Sequence, residues 1–274
     1  MARKTRRPAA PILPPPGSYF HRSQLPLQAL IFLLPLIVLY EFGAFAYATH
    51  YADVATQYGV IHTIQTIHIK ARLWLMSFFE WFGVGGFFLP GLVMVGAMLG
   101  WHVMRGDAWE VEPRLYVGMA LESVLLALPL FVFGLVLSPV PHPGYSLAAL
   151  ARLSGADGLT AGGLPWQAEF VFSIGAGIYE ELLFRLILIA AVHALLVDWL
   201  ALPDVWGSVA AMAVSAVAFA LYHFSRGNPF AWDLFGYYTV AGAYLACVYV
   251  WRGIGVAAGT HAFYDILVVL WHLV

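Results

Sequence analysis

The sequence predicts an all-α, polytopic membrane protein of seven or eight transmembrane helices around a buried polar site. Three observations lead there. Hydrophobic residues make up 62% of the 274 positions and charged residues only 10%, whereas soluble domains carry about 25% charged residues. That deficit, not the net charge of -2, decides the solvent, because so few charges cannot solvate a globule of this size. Apolar runs of about 20 residues, the length a helix needs to cross a bilayer, recur along the chain. The charges inside those runs are grouped into a few stretches, and an ionisable residue at membrane depth needs a partner or a task.

Residues 1–24 are basic and proline-rich, with Arg3, Lys4, Arg6, Arg7, Pro14, Pro15 and Pro16. They read as a disordered cytoplasmic arm. Spans are expected near 25–48, 83–104, 115–139, 169–198, 204–224, 232–251 and 253–273. The stretch 60–82 mixes His62, Gln65, His68, Lys70 and Arg72 with Ile64, Ile67, Ile69, Leu73 and Phe78. It reads as an amphipathic helix lying in the interface, with an eighth span as the alternative. The first apolar run follows basic residues, and Ala46-Tyr47-Ala48 resembles a leader cleavage site. Its length and the interrupting Glu41 favour a retained span.

Loop charges set the orientation. With the N-terminus inside, Arg3, Lys4, Arg6, Arg7, Arg22, Arg105, Arg114 and Arg252 fall on the inner side. Lys70, Arg72, Arg152 and Arg226 fall outside. The bias predicts a cytoplasmic N-terminus in a plasma membrane. The single cysteine, Cys247, excludes an internal disulfide and a thiolate metal site; it reads as a small buried apolar residue. Trp101, Trp199, Trp251 and Trp271 stand near span ends, as interface anchors do. His193 reads as structural.

The charges that matter lie in three stretches. The fourth span holds Tyr179-Glu180-Glu181-Leu182-Leu183-Phe184-Arg185. Glu181 and Arg185, four apart, share a helix face and can pair. Glu180 points about 100° away, toward a proton, a metal or a water. The fifth span ends with Phe219-Ala220-Leu221-Tyr222-His223, and the last begins with His261-Ala262-Phe263-Tyr264-Asp265. Elsewhere in the spans Glu41 and Glu122 are the main charges, expected to pair with hydroxyls or to face a cavity. Alanines and serines of the fifth span, with Gly255 and Gly259 of the last, allow close helix approach. Close helices can bring Glu180, His223, His261 and Asp265 into one pocket.

A carboxylate beside an imidazole can deprotonate water and return the proton to a leaving group. Glu180 and His223 fit that role. A second polar pair can stabilise an oxyanion through preorganised donors. His261 can donate; Asp265 donates only if protonated, and otherwise orients His261. The same residues admit a metal shell: Glu180, His223 and His261 around one divalent metal such as zinc, with a position open to water. The H-E-x-x-H and G-x-S-x-G signatures are absent, as is a G-x-G-D stretch. The carboxylate–imidazole reading is preferred. Tyr179, Tyr222 and Tyr264 adjoin motif residues and can donate hydrogen bonds.

E-E-x-x-x-R, F-x-x-x-H and H-x-x-x-[N/D], in that order on successive hydrophobic segments, resemble the CPBP family of CAAX prenyl endopeptidases and bacteriocin-processing or immunity-type membrane proteins. The resemblance covers about residues 165–274, with the motifs at Glu180 to Arg185, Phe219 to His223 and His261 to Asp265. It implies an intramembrane protease acting on membrane-presented peptides, prenylated C-a-a-X tails among them. It further implies that Glu180 and His223 activate water, that His261 with residue 265 supports the oxyanion, and that Glu181 and Arg185 assist. Members are described both as metalloproteases and as metal-free glutamate proteases. The aspartate at 265, where some members have asparagine, tilts slightly toward metal. The chain then divides into the arm 1–24, membrane helices and loops over 25–164, and a catalytic helix core over 165–274.

Two rivals stand beside this expectation. A non-catalytic membrane scaffold or immunity-type binding protein would keep the polar cluster for folding. A proton-coupled transporter would show inverted repeats, and none is evident in the sequence. The expected partners are the lipid bilayer and a membrane-associated peptide or protein substrate; no nucleic-acid partner is expected.

Overall fold

The computed structural model describes residues 15, 17–58, 70–137, 166–224 and 230–271, with only the backbone course for 48–58. It is built of helices: α1 (Tyr19–Arg22), α2 (Pro26–Tyr58), α3 (Lys70–Glu80), α4 (Leu89–Arg105), α5 (Pro113–Leu137), α6 (Trp166–Trp199), α7 (Asp204–His223) and α8 (Trp232–Trp271). Among the described residues five helices are long and apolar enough to cross a bilayer: α5, α6, α7, α8 and Pro26–Tyr47 of α2. The protein is thus an all-α integral membrane protein. Each expected span falls on a helix. α4 has 17 residues, just short of a full crossing. The last two expected spans are the halves of α8, separated at Gly253, whose φ of 81° and ψ of 175° leave the helical region. Glycine reaches that conformation without steric cost, and a Cβ there would stand 3.3 Å from the Gln24 Cα.

Part of the amphipathic stretch appears as α3. Ala71, Arg72 and Leu75 face inward, while Trp74 and Phe78 are exposed, followed by exposed Trp81 and Phe82 in the next turn. An aromatic outer face of this kind suits the bilayer interface. Most of the basic arm lies outside the described residues. Its last part is helical: the Ser18 hydroxyl accepts from the His21 N–H at 3.3 Å and caps α1.

α8 is the centre of the bundle and packs on α2, α5, α6 and α7. Gly255 lies against Ala29 of α2 and Met119 of α5, and Gly259 against Ser123 and Phe32. The small-residue spacing read from the sequence therefore serves close helix contact. One close approach matters most for the site. A Cβ on Gly177 would lie 2.6 Å from both the Cβ and the backbone nitrogen of Ala262, and 2.7 Å from the Ala258 carbonyl oxygen. Backbone cannot give way as a side-chain tip does. Gly177→Ala is expected to destabilise the protein by about 1–3 kcal/mol and to push α6 from α8, which thermal unfolding in detergent micelles measures. An unchanged midpoint would show that the helices slide without cost.

Among the described residues three arginines are fully buried, and each is tied to a carboxylate. Arg72 pairs with Glu41 at 3.1 Å. Glu41 also accepts the Tyr179 hydroxyl, so the expectation that Glu41 meets a hydroxyl is met. Arg252 grips Glu122 with Nε at 2.5 Å and Nη2 at 2.7 Å, and Nη2 also reaches the Ser23 hydroxyl at 2.9 Å. The Tyr19 hydroxyl donates to Glu122 at 2.6 Å. This knot fastens α1 to α5 at the break in α8. Arg72 and Arg252, counted above among the loop charges, are therefore internal ion-pair partners; the remaining basic residues keep the same inward bias.

Cys247 corrects an expectation, because it is exposed on α8. A small apolar side chain in a span is solvated by lipid as readily as by protein, so composition does not tell its face. Trp101, Trp199, Trp251 and Trp271 are exposed as anchors require. His193 lies 3.1 Å from Asp204 and joins the end of α6 to the start of α7.

Candidate active site

α6 carries the first motif at a change of helical winding. Residues 166–181 are α-helical and Leu182–Ile189 form a π-helix. Such wide turns occur frequently at functional sites. Glu180 and Glu181 are the last residues before the change, and both are buried. Glu181 Oε1 lies 3.0 Å from Nη1 of Arg185, with both side chains fully excluded from the surface. Nη2 of Arg185 donates to the Gly242 carbonyl at 3.1 Å, and its guanidinium lies over the Phe219 ring at 4.5 Å. One arginine thus joins α6 to α7 and to the first half of α8.

The second half of α8 supplies His261. Its Nδ1 meets the same Glu181 Oε1 at 2.8 Å. With Glu181 ionised against Arg185, this contact is filled by Nδ1–H as donor, which fixes the ring. The opposite nitrogen, Nε2, then faces Asp265 Oδ2 at 3.6 Å and Glu180 Oε2 at 4.0 Å. Both distances exceed a good hydrogen bond. Glu181 therefore aligns His261 more closely than Asp265 does.

α7 supplies His223. Its Nδ1 meets the carbonyl of Phe219, one turn back, at 2.8 Å. A carbonyl only accepts, so Nδ1 carries the proton, and in the neutral ring Nε2 keeps its lone pair. The imidazole stacks on Tyr238 at 3.9 Å between centroids, with 16° between planes. Phe219 touches the rings of both His223 (4.7 Å) and His261 (5.8 Å). The Phe and His of the second motif thus act together: one packs the two imidazoles and lends the carbonyl that sets the tautomer of the other.

The structure brings Glu180, Glu181, Arg185 and His261 into one buried cluster with the partly exposed Asp265 at its edge, and His223 is joined to it through Phe219. Among the described residues no three His, Cys, Asp or Glu side chains are gathered to hold a metal ion. As placed, Glu180, His223 and His261 do not form a three-ligand shell. Sequence reasoning did not single out Tyr238. An aromatic residue in an apolar span carries no sequence signal that it stacks on a histidine of another helix.

The architecture and this cluster define a class: a polytopic helical membrane protein with carboxylates and imidazoles gathered inside the bundle. Residues 163–267 match the family described as type II CAAX prenyl endopeptidase, Rce1-like. All three motifs lie within the matched segment, so over that stretch the chain is similar to the CAAX-protease family that the motifs suggested. The family implies protease activity. No curated protein and no solved structure matches the chain.

Proposed function

We propose that this protein is an intramembrane endopeptidase that hydrolyses peptide bonds in membrane-presented substrates, with prenylated C-a-a-X-type tails as the first candidates. The observation that carries the reading is the buried cluster itself, in which both imidazoles are anchored through Nδ1. His261 spends Nδ1 on Glu181 and turns Nε2 to Glu180 and Asp265. His223 spends Nδ1 on its own helix.

In the proposed reaction Glu180, with Nε2 of His223, takes a proton from water as it attacks the scissile carbonyl. His261, as an imidazolium holding Glu181 through Nδ1–H, donates through Nε2–H to the oxyanion, and Asp265 flanks that donor. The proton then passes to the leaving amine. Arg185 pairs with Glu181, the carboxylate that aligns His261. The protein is proposed to sit in a plasma membrane with its N-terminus cytoplasmic.

The test uses purified protein in liposomes with a farnesylated C-a-a-X peptide, and separately a peptide spanning the bilayer. Mass spectrometry reads the products. Cleavage of either by the wild-type protein, and its loss in His261→Ala with the fold retained, is expected. Neither peptide cleaved by the wild type removes the hydrolase reading in favour of the scaffold.

A further inference from the structure

His223 ends α7, and its own helix holds it by the bond from Nδ1 to the Phe219 carbonyl at 2.8 Å. One hydrogen bond fixes a point of the ring, not its plane. The aromatic neighbours on α7 do not lie parallel to it. Phe219 is tilted by 60°, and Tyr222 meets it edge-on at 83°. The face of the imidazole is covered from another helix. Tyr238 of α8 lies against it with 3.9 Å between centroids and 16° between planes.

Tyr238 is itself wedged in place. Phe224 meets it at 6.1 Å and 81°, and Tyr237 at 5.4 Å and 65°. Tyr237 in turn stacks on Phe133 of α5 at 5.5 Å, with 13° between planes, and its hydroxyl meets that of Tyr264. Gly134 leaves room for these hydroxyls: a Cβ there would stand 3.3 Å from the Tyr237 oxygen and 3.7 Å from the Tyr264 oxygen. An aromatic brace therefore runs from α5 through two consecutive tyrosines of α8 to the imidazole at the end of α7. Stacked aromatic rings are held by orientation as well as by burial, so the brace sets what the hydrogen bond leaves open. We infer that Tyr238 is a positioning residue for His223, and that it fixes the plane of the imidazole from outside its own helix.

The kinetic consequence rests on the hydrolase reading; the geometry does not. Tyr238→Phe keeps the ring face, and Tyr238→Leu keeps apolar bulk without it. NMR of the carbon-bound imidazole protons, on histidine-labelled protein in detergent micelles, needs no substrate. The His223 and His261 signals are assigned by their loss in His223→Gln and His261→Gln. Lying over a ring face, the His223 protons are expected upfield of those of His261, whose neighbour Phe219 meets it edge-on. They should stay there in Tyr238→Phe and move downfield in Tyr238→Leu, while the His261 signals keep their place. A merely structural tyrosine would loosen the bundle and move both sets. Wild-type His223 protons that are not upfield overturn the inference whether or not the leucine variant folds. So do signals that move together, or that do not move, in Tyr238→Leu. On the farnesylated peptide in liposomes, Tyr238→Leu is expected to lower kcat about 10- to 100-fold with KM unchanged, the scale of loss from misplacing a catalytic group by about 1 Å. Tyr238→Phe should match the wild type. A leucine variant with the kcat of the wild type also overturns the inference. If the wild type cleaves nothing, the hydrolase reading fails, and the NMR comparison still decides whether Tyr238 holds the His223 ring.

Discussion

Glu180→Gln is expected to abolish peptide hydrolysis while leaving the fold intact. Glutamine keeps the size of the side chain, but it cannot take a proton from water. A positioned general base contributes about 10²–10⁴ in rate, and that is the loss expected in kcat. kcat/KM should fall by the same factor, because the lost interaction belongs to the transition state and not to substrate binding. The measurement is a turnover assay on the farnesylated peptide beside thermal unfolding of the same preparations. A variant that unfolds as the wild type does and still cleaves within ten-fold of it would remove Glu180 from the chemistry. A biological role untouched by the substitution would favour the scaffold.

Arg185→Met should have the largest effect on stability. Arg185 and Glu181 are both fully buried 3.0 Å apart. Methionine fills similar space and leaves Glu181 as a carboxylate without its cation. Breaking one side of a buried pair costs about 3–5 kcal/mol. The donor to Gly242 and the cation over Phe219 are lost with it, so the contacts of α7 and α8 with α6 loosen together. The double variant Glu181→Gln, Arg185→Met removes the stranded charge and is expected to recover most of the stability. It should not recover activity, because His261 would no longer face a carboxylate through Nδ1. Unfolding midpoints of the single and double variants in detergent micelles check both statements. A single variant as stable as the wild type would show that Glu181 has a further partner able to carry its charge.

Much of this was legible in the sequence because lipid makes helix patterns plain. Apolar runs of bilayer length found the spans, and the i, i+4 rule paired Glu181 with Arg185 before any coordinate was known. Gly255 and Gly259 announced a tight interface by their spacing. The unread parts share one cause: they depend on contacts between helices. The rule that pairs Glu181 with Arg185 looks along a single helix, so it could not show that the same carboxylate oxygen also holds His261 from α8, 80 residues away. The π-helical winding after Glu181 has no composition that marks it. Arg72 and Arg252 stand at the edges of apolar runs, where an arginine turns outward to water as easily as inward to a carboxylate. Glu41 and Glu122 were the missing halves of those pairs, visible as misplaced charges but not as partners.

The Arg252–Glu122 knot also bears on how the chain is made. Glu122 enters the membrane with α5, and the arginine that neutralises it follows 130 residues later. At about 5–20 residues per second, the ribosome needs roughly 7 to 26 s to deliver it. Glu41 waits for only 31 residues before Arg72. During the longer interval the polar company already synthesised for Glu122 is the hydroxyl of Tyr19. The early half of the bundle is therefore an unfinished object, threaded into lipid with a carboxyl group whose counter-ion has yet to be translated. A chain stopped before residue 252 is not a smaller stable domain but a nascent intermediate, the kind of species that membrane quality control removes.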